Sequence, residues 1–186
     1  MSFSVECYFD SAAEDAVRNI WRSLSEKKIN SRMLDVGARP HISLIVAEGD
    51  PPTELIERLR DFVVSRHEIQ LQFGSVGLFP NDLGVLFLAP RASIQLDHFH
   101  LDWCTAIEPL DLAVWDYYRA ANWTPHCTLA VGLTPDQLGP AFDVCRSTPY
   151  PLSAEIREIG LVKLQPLERV RTFPLRSELA RSHERR

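Results

Sequence analysis

Two short stretches of the same form contain the residues best suited to chemistry in this chain. The first, PHISL, begins at Pro40, and the second, PHCTL, begins at Pro125. Their histidines, His41 and His126, are 85 residues apart. A neutral imidazole accepts a proton and a protonated one donates it, and the unperturbed pKa of about 6.5 lets both forms exist near neutral pH. A pair of histidines is therefore suited to general acid–base catalysis, in which each proton transfer contributes about a hundred- to ten-thousand-fold.

A hydroxyl residue follows each histidine after one intervening residue. Successive side chains of a strand point to opposite faces, so Ser43 shares a face with His41, and Thr128 shares one with His126. If the two strands meet across a groove, it holds two imidazoles and two hydroxyls. That set suits phosphodiester chemistry, because the hydroxyls can donate to phosphate oxygens as charge builds in the transition state. No acidic cluster of the kind a two-metal site needs lies beside either motif, so we predict no metal and no cofactor.

The surrounding pattern predicts alternating strands and helices in two similar halves. Strands are expected at 2–10, 41–49, 68–80, 84–90, 126–132, 153–166 and 168–175, and helices at 11–28, 50–66, 93–110 and 134–147. Ser11 is the expected N-cap of the first helix. Val46 is expected to point into the core with Ile42 and Leu44.

These elements predict an α+β fold made of two pseudo-symmetric lobes, each a mostly antiparallel sheet covered by helices, with a central groove between them. Residues 1–180 are expected to form a single bilobal domain whose lobes contribute the motifs at 41–44 and 126–129. Residues 181–186 are expected to be a flexible tail.

The two motifs and their separation resemble the paired His-x-(Ser/Thr)-x signatures of the two-histidine (2H) phosphoesterase superfamily. That superfamily includes bacterial 2′-5′ RNA ligase-like proteins, plant cyclic phosphodiesterases and 2′-5′ oligoadenylate phosphodiesterases. The resemblance implies a bilobal α+β fold and metal-independent cleavage of 2′,3′-cyclic phosphates or 2′-5′ linkages, in some members with reversible joining of RNA ends. It implies that His41 and His126 are catalytic and that Ser43 and Thr128 bind the phosphate. Which histidine is the acid stays open, as does the subfamily, because the first motif continues as HISLIVAEGD.

The composition of the chain limits the classes of binding partner that we expect. The formal net charge is −5, whereas proteins that grip long duplex nucleic acid usually carry a basic stripe. RNA ends or small cyclic and 2′-5′ nucleotides remain compatible with an acidic chain. No apolar run is long enough to cross a bilayer, and four scattered cysteines suit reduced thiols. We therefore expect a cytoplasmic monomer without a membrane partner, with Cys127 on the buried face of its strand.

Several other residues are weaker candidates. Arg39 shares the face of His41 and could bind phosphate, although a solvated arginine is the more frequent outcome. Tyr8, on the polar face of the first strand, is a candidate stacking platform for a base. Phe79 and Trp123 are others, although such rings more often pack in the core or at its rim. His98 and His100 suggest a metal site, but residues two apart on a helix point to different sides.

Other functions also fit the motifs. The groove could be a non-catalytic module that binds RNA ends or nucleotides, or it could cleave ADP-ribose 1″,2″-cyclic phosphate. A chance pair of hydrogen-bonded strand histidines is the remaining alternative, since short motifs carry a risk of false matches. The presence of all four motif residues favours an enzyme, because binding alone does not need two titrating groups.

Overall fold

The computed structural model describes residues 1–177, which form one seven-stranded sheet, five α-helices and two single-turn 3₁₀ helices. The strands are β1 (Ser2–Phe9), β2 (His41–Glu48), β3 (Ile69–Leu78), β4 (Leu86–Pro90), β5 (Cys127–Ala130), β6 (Leu152–Leu164) and β7 (Leu167–Pro174). The α-helices are α1 (Ser11–Glu26), α2 (Arg32–Asp35), α3 (Thr53–Val64), α4 (Ile94–Ile107) and α5 (Pro135–Arg146), and the 3₁₀ helices are Glu108–Leu110 and Asp116–Tyr118. The predicted α+β class is confirmed. The predicted tail, 181–186, lies outside the described residues.

The order of strands divides the sheet into two similar halves, each of which combines strands from early and late in the chain. It runs β2-β1-β6-β3-β4-β5, with β7 pairing beside β6, and all these neighbours are antiparallel. One half of the sheet is β2-β1-β6, and the other half is β5-β4-β3 in the reverse spatial order. The long strand β6 joins them, because its beginning pairs with β3 and the rest pairs with β1. The two halves form one continuous sheet.

The helices cover the apolar face of this sheet. In β1, Phe3, Val5, Cys7 and Phe9 point into the core, as the alternation predicts. Helix α1 adds its own apolar stripe through Val17, Ile20, Trp21 and Leu24, among others. Together they form one contiguous core that fixes the backbone of β1 against its neighbours. Within residues 1–177 no helix is long and apolar enough to span a membrane.

The N-cap of α1 is Asp10, and the prediction of Ser11 was wrong by one residue. The Asp10 carboxylate accepts from the backbone N–H of Ala13 at 3.1 Å and, through its other oxygen, from that of Glu155 at 2.8 Å. Both Asp and Ser are favourable caps, so local sequence could not choose between them. The contact with β6 favours Asp10, because the same side chain then fixes the helix to the sheet.

A β-bulge in β2 changes which residues face the core after the first motif. Val5 pairs with Ile45 and Glu6 pairs with Ser43, so Leu44 is the extra residue. Beyond it the alternation shifts, and Ile45 joins the main core cluster in place of Val46. Val46 is buried as expected, but it lies outside that cluster because strict alternation does not survive a bulge. His41 and Ser43 precede the bulge and keep a common face.

Candidate active site

The two motifs come together where the two ends of the strand order meet. β2 and β5 are in direct contact although each lies at an opposite end of the sheet path. The indole N–H of Trp123, just before β5, donates to the carbonyl of Ser43 in β2 at 3.0 Å. Burial lowers the pKa of His126, and the charge of His41 contributes to that change. The fold thus brings both histidines to one site.

Each histidine is fixed through the same ring nitrogen. Nδ1 of His41 lies 2.6 Å from the carbonyl oxygen of Arg39, and Nδ1 of His126 lies 2.8 Å from that of Thr124. A carbonyl oxygen can only accept, so Nδ1 carries the hydrogen in both rings and Nε2 is left to exchange protons.

The proline of each motif supports this arrangement. Pro40 and Pro125 stand between the histidine and the residue whose carbonyl accepts its N–H. A proline drives the preceding residue towards an extended conformation. The carbonyl is thereby held in a defined direction beside the ring. This gives a physical reason for proline before both histidines.

The hydroxyl residues are also held symmetrically. The carbonyl of Ser43 accepts from Trp123, and the carbonyl of Thr128 accepts from the indole N–H of Trp21 at 3.1 Å. A tryptophan therefore anchors the backbone of each hydroxyl residue. Ser43 is buried and Thr128 is half-buried. Burial raises the pKa of Tyr118, and its interaction with the Ser43 side chain opposes the rise.

The surroundings of the two imidazoles differ in chemistry. His126 meets the rings of Phe79 and Phe87 edge-on, with centroid distances of 4.8 and 5.4 Å. Burial lowers the pKa of His126, the bond to Thr124 opposes that change, and the charge of His41 adds to it. His41 instead has the carboxylate of Glu6 beside it, with Oε2 3.6 Å from Nδ1. One ring lies in an apolar setting and the other beside an acid.

Glu6 is a site residue that the sequence did not single out. It lies on β1 and is 4% exposed, yet its two oxygens accept from the hydroxyls of Ser4 at 2.6 Å and Tyr8 at 2.9 Å. The only sequence signal was its position on the polar face of the first strand. A polar face is normally assumed to be solvated, so burial there depends on tertiary structure.

Tyr8 does not provide an open surface for a base, and that prediction was wrong. Its side chain is 1% exposed, and the guanidinium of Arg39 covers the ring at 4.1 Å from the centroid. Arg39 in turn bonds the carboxylates of Glu14 and Glu158, each at 2.6 Å. It is therefore neither a solvated arginine nor a free phosphate ligand. Two carboxylates already neutralise it.

The remaining candidates are structural. His100 is 2% exposed, stacks on Trp123 with ring centroids 3.9 Å apart, and bonds the carbonyl of Leu44 at 3.0 Å. His98 points to solvent, so the two do not form a joint site. Cys127 is buried, and burial raises the pKa of its thiol to about 12, which makes it a poor nucleophile.

The family model of the 2′-5′ RNA ligase superfamily matches residues 10–166. Because this match spans more than half of the chain, the protein belongs to the 2′-5′ RNA ligase superfamily, whose members are phosphoesterases and ligases.

Solved structures share the fold at low sequence identity. The protein TT0787 of Thermus thermophilus is 16% identical with a TM-score of 0.62, and the match covers 96% of this chain and 100% of that one. LigT of E. coli complexed with 3′-AMP is 10% identical with a TM-score of 0.59, covering 93% and 97%. LigT complexed with NADP⁺ is 10% identical with a TM-score of 0.56, covering 93% and 96%. A comparison with curated protein sequences finds no significant match.

Proposed function

We propose that this protein is a metal-independent phosphodiesterase that hydrolyses 2′,3′-cyclic phosphates or 2′-5′ linked RNA and nucleotides. His41 and His126 are its catalytic residues. The observation that carries the proposal is the matched pair of imidazoles. Each imidazole is hydrogen-bonded through Nδ1 to a backbone carbonyl, so its Nε2 is the atom that can exchange protons. Two such groups supply both proton transfers of the reaction, so a metal-bound water is not needed.

The different surroundings of the two rings suggest their roles. His126 lies among phenyl rings and its pKa is lowered, so its neutral form is favoured and suits a general base. His41 then serves as the general acid. In hydrolysis of a cyclic phosphate, Nε2 of His126 takes a proton from water as its oxygen bonds to phosphorus. The phosphorus–oxygen bond to the ribose breaks, and Nε2 of His41 gives its proton to the departing oxygen.

Ser43 and Thr128 are the proposed phosphate-binding residues. Each lies one residue beyond its histidine on the same strand face, and each has its backbone anchored by a tryptophan. A hydroxyl held in this way donates to a non-bridging oxygen without reorganising as charge develops. Removing one such donor is expected to lower kcat more than it raises KM, because the bond strengthens in the transition state.

The proposed substrates are small nucleotides or RNA ends. LigT complexes with 3′-AMP, NADP⁺ and ATP support a groove of nucleotide size in this fold. A net charge of −5 disfavours long phosphate backbones, which need many cationic contacts. Attack by a ribose hydroxyl in place of water would join RNA ends with the same two histidines.

The test is hydrolysis of 2′,3′-cyclic nucleoside monophosphates, and then of 2′-5′ dinucleotides, in excess EDTA from pH 5 to 9. We expect a bell-shaped profile that chelation does not change. His41→Ala and His126→Ala should each lower kcat by about a hundred- to ten-thousand-fold. His98→Ala, an exposed histidine on α4, is the matched control and should retain full activity.

Two results would contradict the enzyme proposal. Wild-type protein that binds these nucleotides without turning over any of them would be a binding module. Activity that survives in the double variant His41→Ala, His126→Ala would require other catalytic groups.

A further inference from the structure

We propose that Glu6 is a positioning residue for His41, and that its buried charge keeps His41 in the proton-donating form. This inference rests on the proposed function, because it explains how one of two similar histidines becomes the acid. It concerns a residue outside both motifs. Four observations support it.

The first observation is the distance and the geometry of the pair. Oε2 of Glu6 lies 3.6 Å from Nδ1 of His41, while Nδ1 donates its hydrogen to the carbonyl of Arg39 at 2.6 Å. The carboxylate is therefore not the hydrogen-bond partner of the ring. It acts through its charge, and an opposite charge within about 4–6 Å favours the protonated form of an imidazole.

The second observation is that Glu6 is held in place. Ser4 donates to Oε1 and Tyr8 donates to Oε2, so each carboxylate oxygen has its own hydroxyl donor. Two donors fit an ionised carboxylate, which can only accept. Burial, followed by the charge of Glu6, raises the pKa of Tyr8, so its hydroxyl keeps its proton.

The third observation is that residue 160 must be small for this arrangement. A Cβ added to Gly160 would lie 2.4 Å from Cε2 and 2.8 Å from the hydroxyl oxygen of Tyr8. The ring of Tyr8 therefore lies directly over the backbone of β6 at this glycine. The position of the donor to Glu6 depends on that close approach.

The fourth observation is the difference between the two halves of the sheet. Glu6 pairs with Ser43 on one side and with Gly160 on the other. Phe87 occupies the matching register position in the second half, between Thr128 and Gly77. The fold thus places a carboxylate behind one histidine and a phenyl ring behind the other. This single difference of residue type gives the two rings different electrostatic surroundings.

Other ionisable groups around His41 do not replace Glu6. Arg39, before β2, is held between Glu14 of α1 and Glu158 of β6, so its charge is largely compensated. The groups that face His41 or its immediate partners are Glu6 and Tyr8 on β1, Arg39, Glu14, Glu158, Arg169 on β7, and His126 and Cys127 at β5.

The direct test is an NMR titration of the His41 ring in the wild type and in Glu6→Gln. Glutamine keeps the shape and accepts from one hydroxyl but removes the charge. We expect the midpoint of the His41 ring signal to move about one pH unit or more to lower pH. Glu48→Gln is the matched control, because it removes one charge at the far end of β2, about 20 Å away, and should leave the midpoint unchanged. An unchanged midpoint in Glu6→Gln would overturn the proposal.

Glu6→Asp serves as a second variant if Glu6→Gln does not fold. It keeps the charge but withdraws it by one methylene, so a smaller shift in the same direction is expected, and no shift contradicts the proposal. The kinetic readout is the alkaline limb of kcat/KM, which should move to lower pH in Glu6→Gln, so that the loss of activity relative to the wild type grows as the pH rises. The titration needs no turnover. If the wild type is inactive but the midpoint of the His41 ring signal still shifts in Glu6→Gln, the proposed function is contradicted and the inference about Glu6 is supported.

Discussion

At the scale of single residues, the neighbours of a side chain decide its chemical role more than its type does. The chain has histidines at 41, 98, 100 and 126 within residues 1–177, among others, and the structure gives them different environments. His126 lies between phenyl rings, His41 beside a buried acid, His100 against an indole, and His98 in solvent. Only the first two have a motif hydroxyl on the same strand face. The catalytic proposal therefore concerns these two.

His100 provides a prediction about stability and pH. Burial lowers its pKa, so the unfolded state binds the proton more readily than the folded state does. The stability that neutral His100 contributes is fully present above its unfolded pKa of about 6.5 and is lost as pH falls through the folded value. We expect His100→Gln to be less stable than the wild type at pH 7.5, with a difference that narrows towards pH 5. Urea unfolding at several pH values measures this.

The control for that prediction lies on the same helix. His98 is exposed, so His98→Gln should unfold in parallel with the wild type at every pH. A gap between wild type and His100→Gln that stays constant with pH would mean that His100 titrates alike in both states. The contribution of His100 would then come from packing on Trp123 alone.

At the scale of elements, two glycines show how close packing of strands fixes side chains at the site. Gly160 lies under the ring of Tyr8, and a Cβ at Gly77 would lie 2.5 Å from Cζ of Phe87. These positions match in the two halves of the sheet. At both positions an aromatic ring packs against the backbone of the glycine. The orientation of that ring depends on the absence of a side chain at the glycine.

We expect Gly160→Ala to destabilise the protein by about 1–3 kcal/mol, the usual penalty for overpacking a filled site. It should also displace Tyr8 and so weaken its hydrogen bond to Glu6. Gly74→Ala is the matched control, because a Cβ at this position would meet only the exposed and flexible side chain of Arg91, with Cγ at 3.1 Å. That change should alter the stability by no more than about 0.5 kcal/mol. Chemical unfolding together with kcat distinguishes the two, and equal stabilities would contradict the packing argument.

At the scale of the whole molecule, the site exists because the ends of a continuous sheet approach each other. β6 pairs with strands of both halves, and the sheet then brings β2 and β5 into contact. The indole of Trp123 bridges this junction by donating to Ser43. A contact between chain segments 80 residues apart thus holds the two motifs in register.

We expect Trp123→Phe to lower kcat by at least about tenfold while costing the fold only a few kcal/mol, because it removes the bridging donor and part of the stack on His100. Trp115→Phe is the control. Its indole bonds Glu48 at the surface, away from both motifs, and its loss should leave kcat unchanged. Measuring kcat at equal folded fraction tests the prediction. Equal activity in both variants would contradict the prediction, because it would mean that the hydrogen bond from Trp123 to Ser43 is not needed to hold β2 and β5 together.

Much of the fold followed from the sequence because the relevant signals are local. The alternation in β1 and the amphipathic pattern of α1 predicted elements that the structure contains. The Asp10 cap and the bulge at Leu44 were missed. Each depends on a contact with another strand, which neighbouring residues in the sequence do not encode.

The sequence by itself determined the class of the protein and its two histidine motifs, because residue type and spacing along a strand set which side chains share a face. Only the tertiary structure decided that the motifs meet, that Tyr8 is covered, and that Arg39 is already paired. It alone also placed Glu6 behind one histidine and Phe87 behind the other. The physical reason is that burial and electrostatic environment arise from segments far apart in the chain, and these come together only when the sheet has formed.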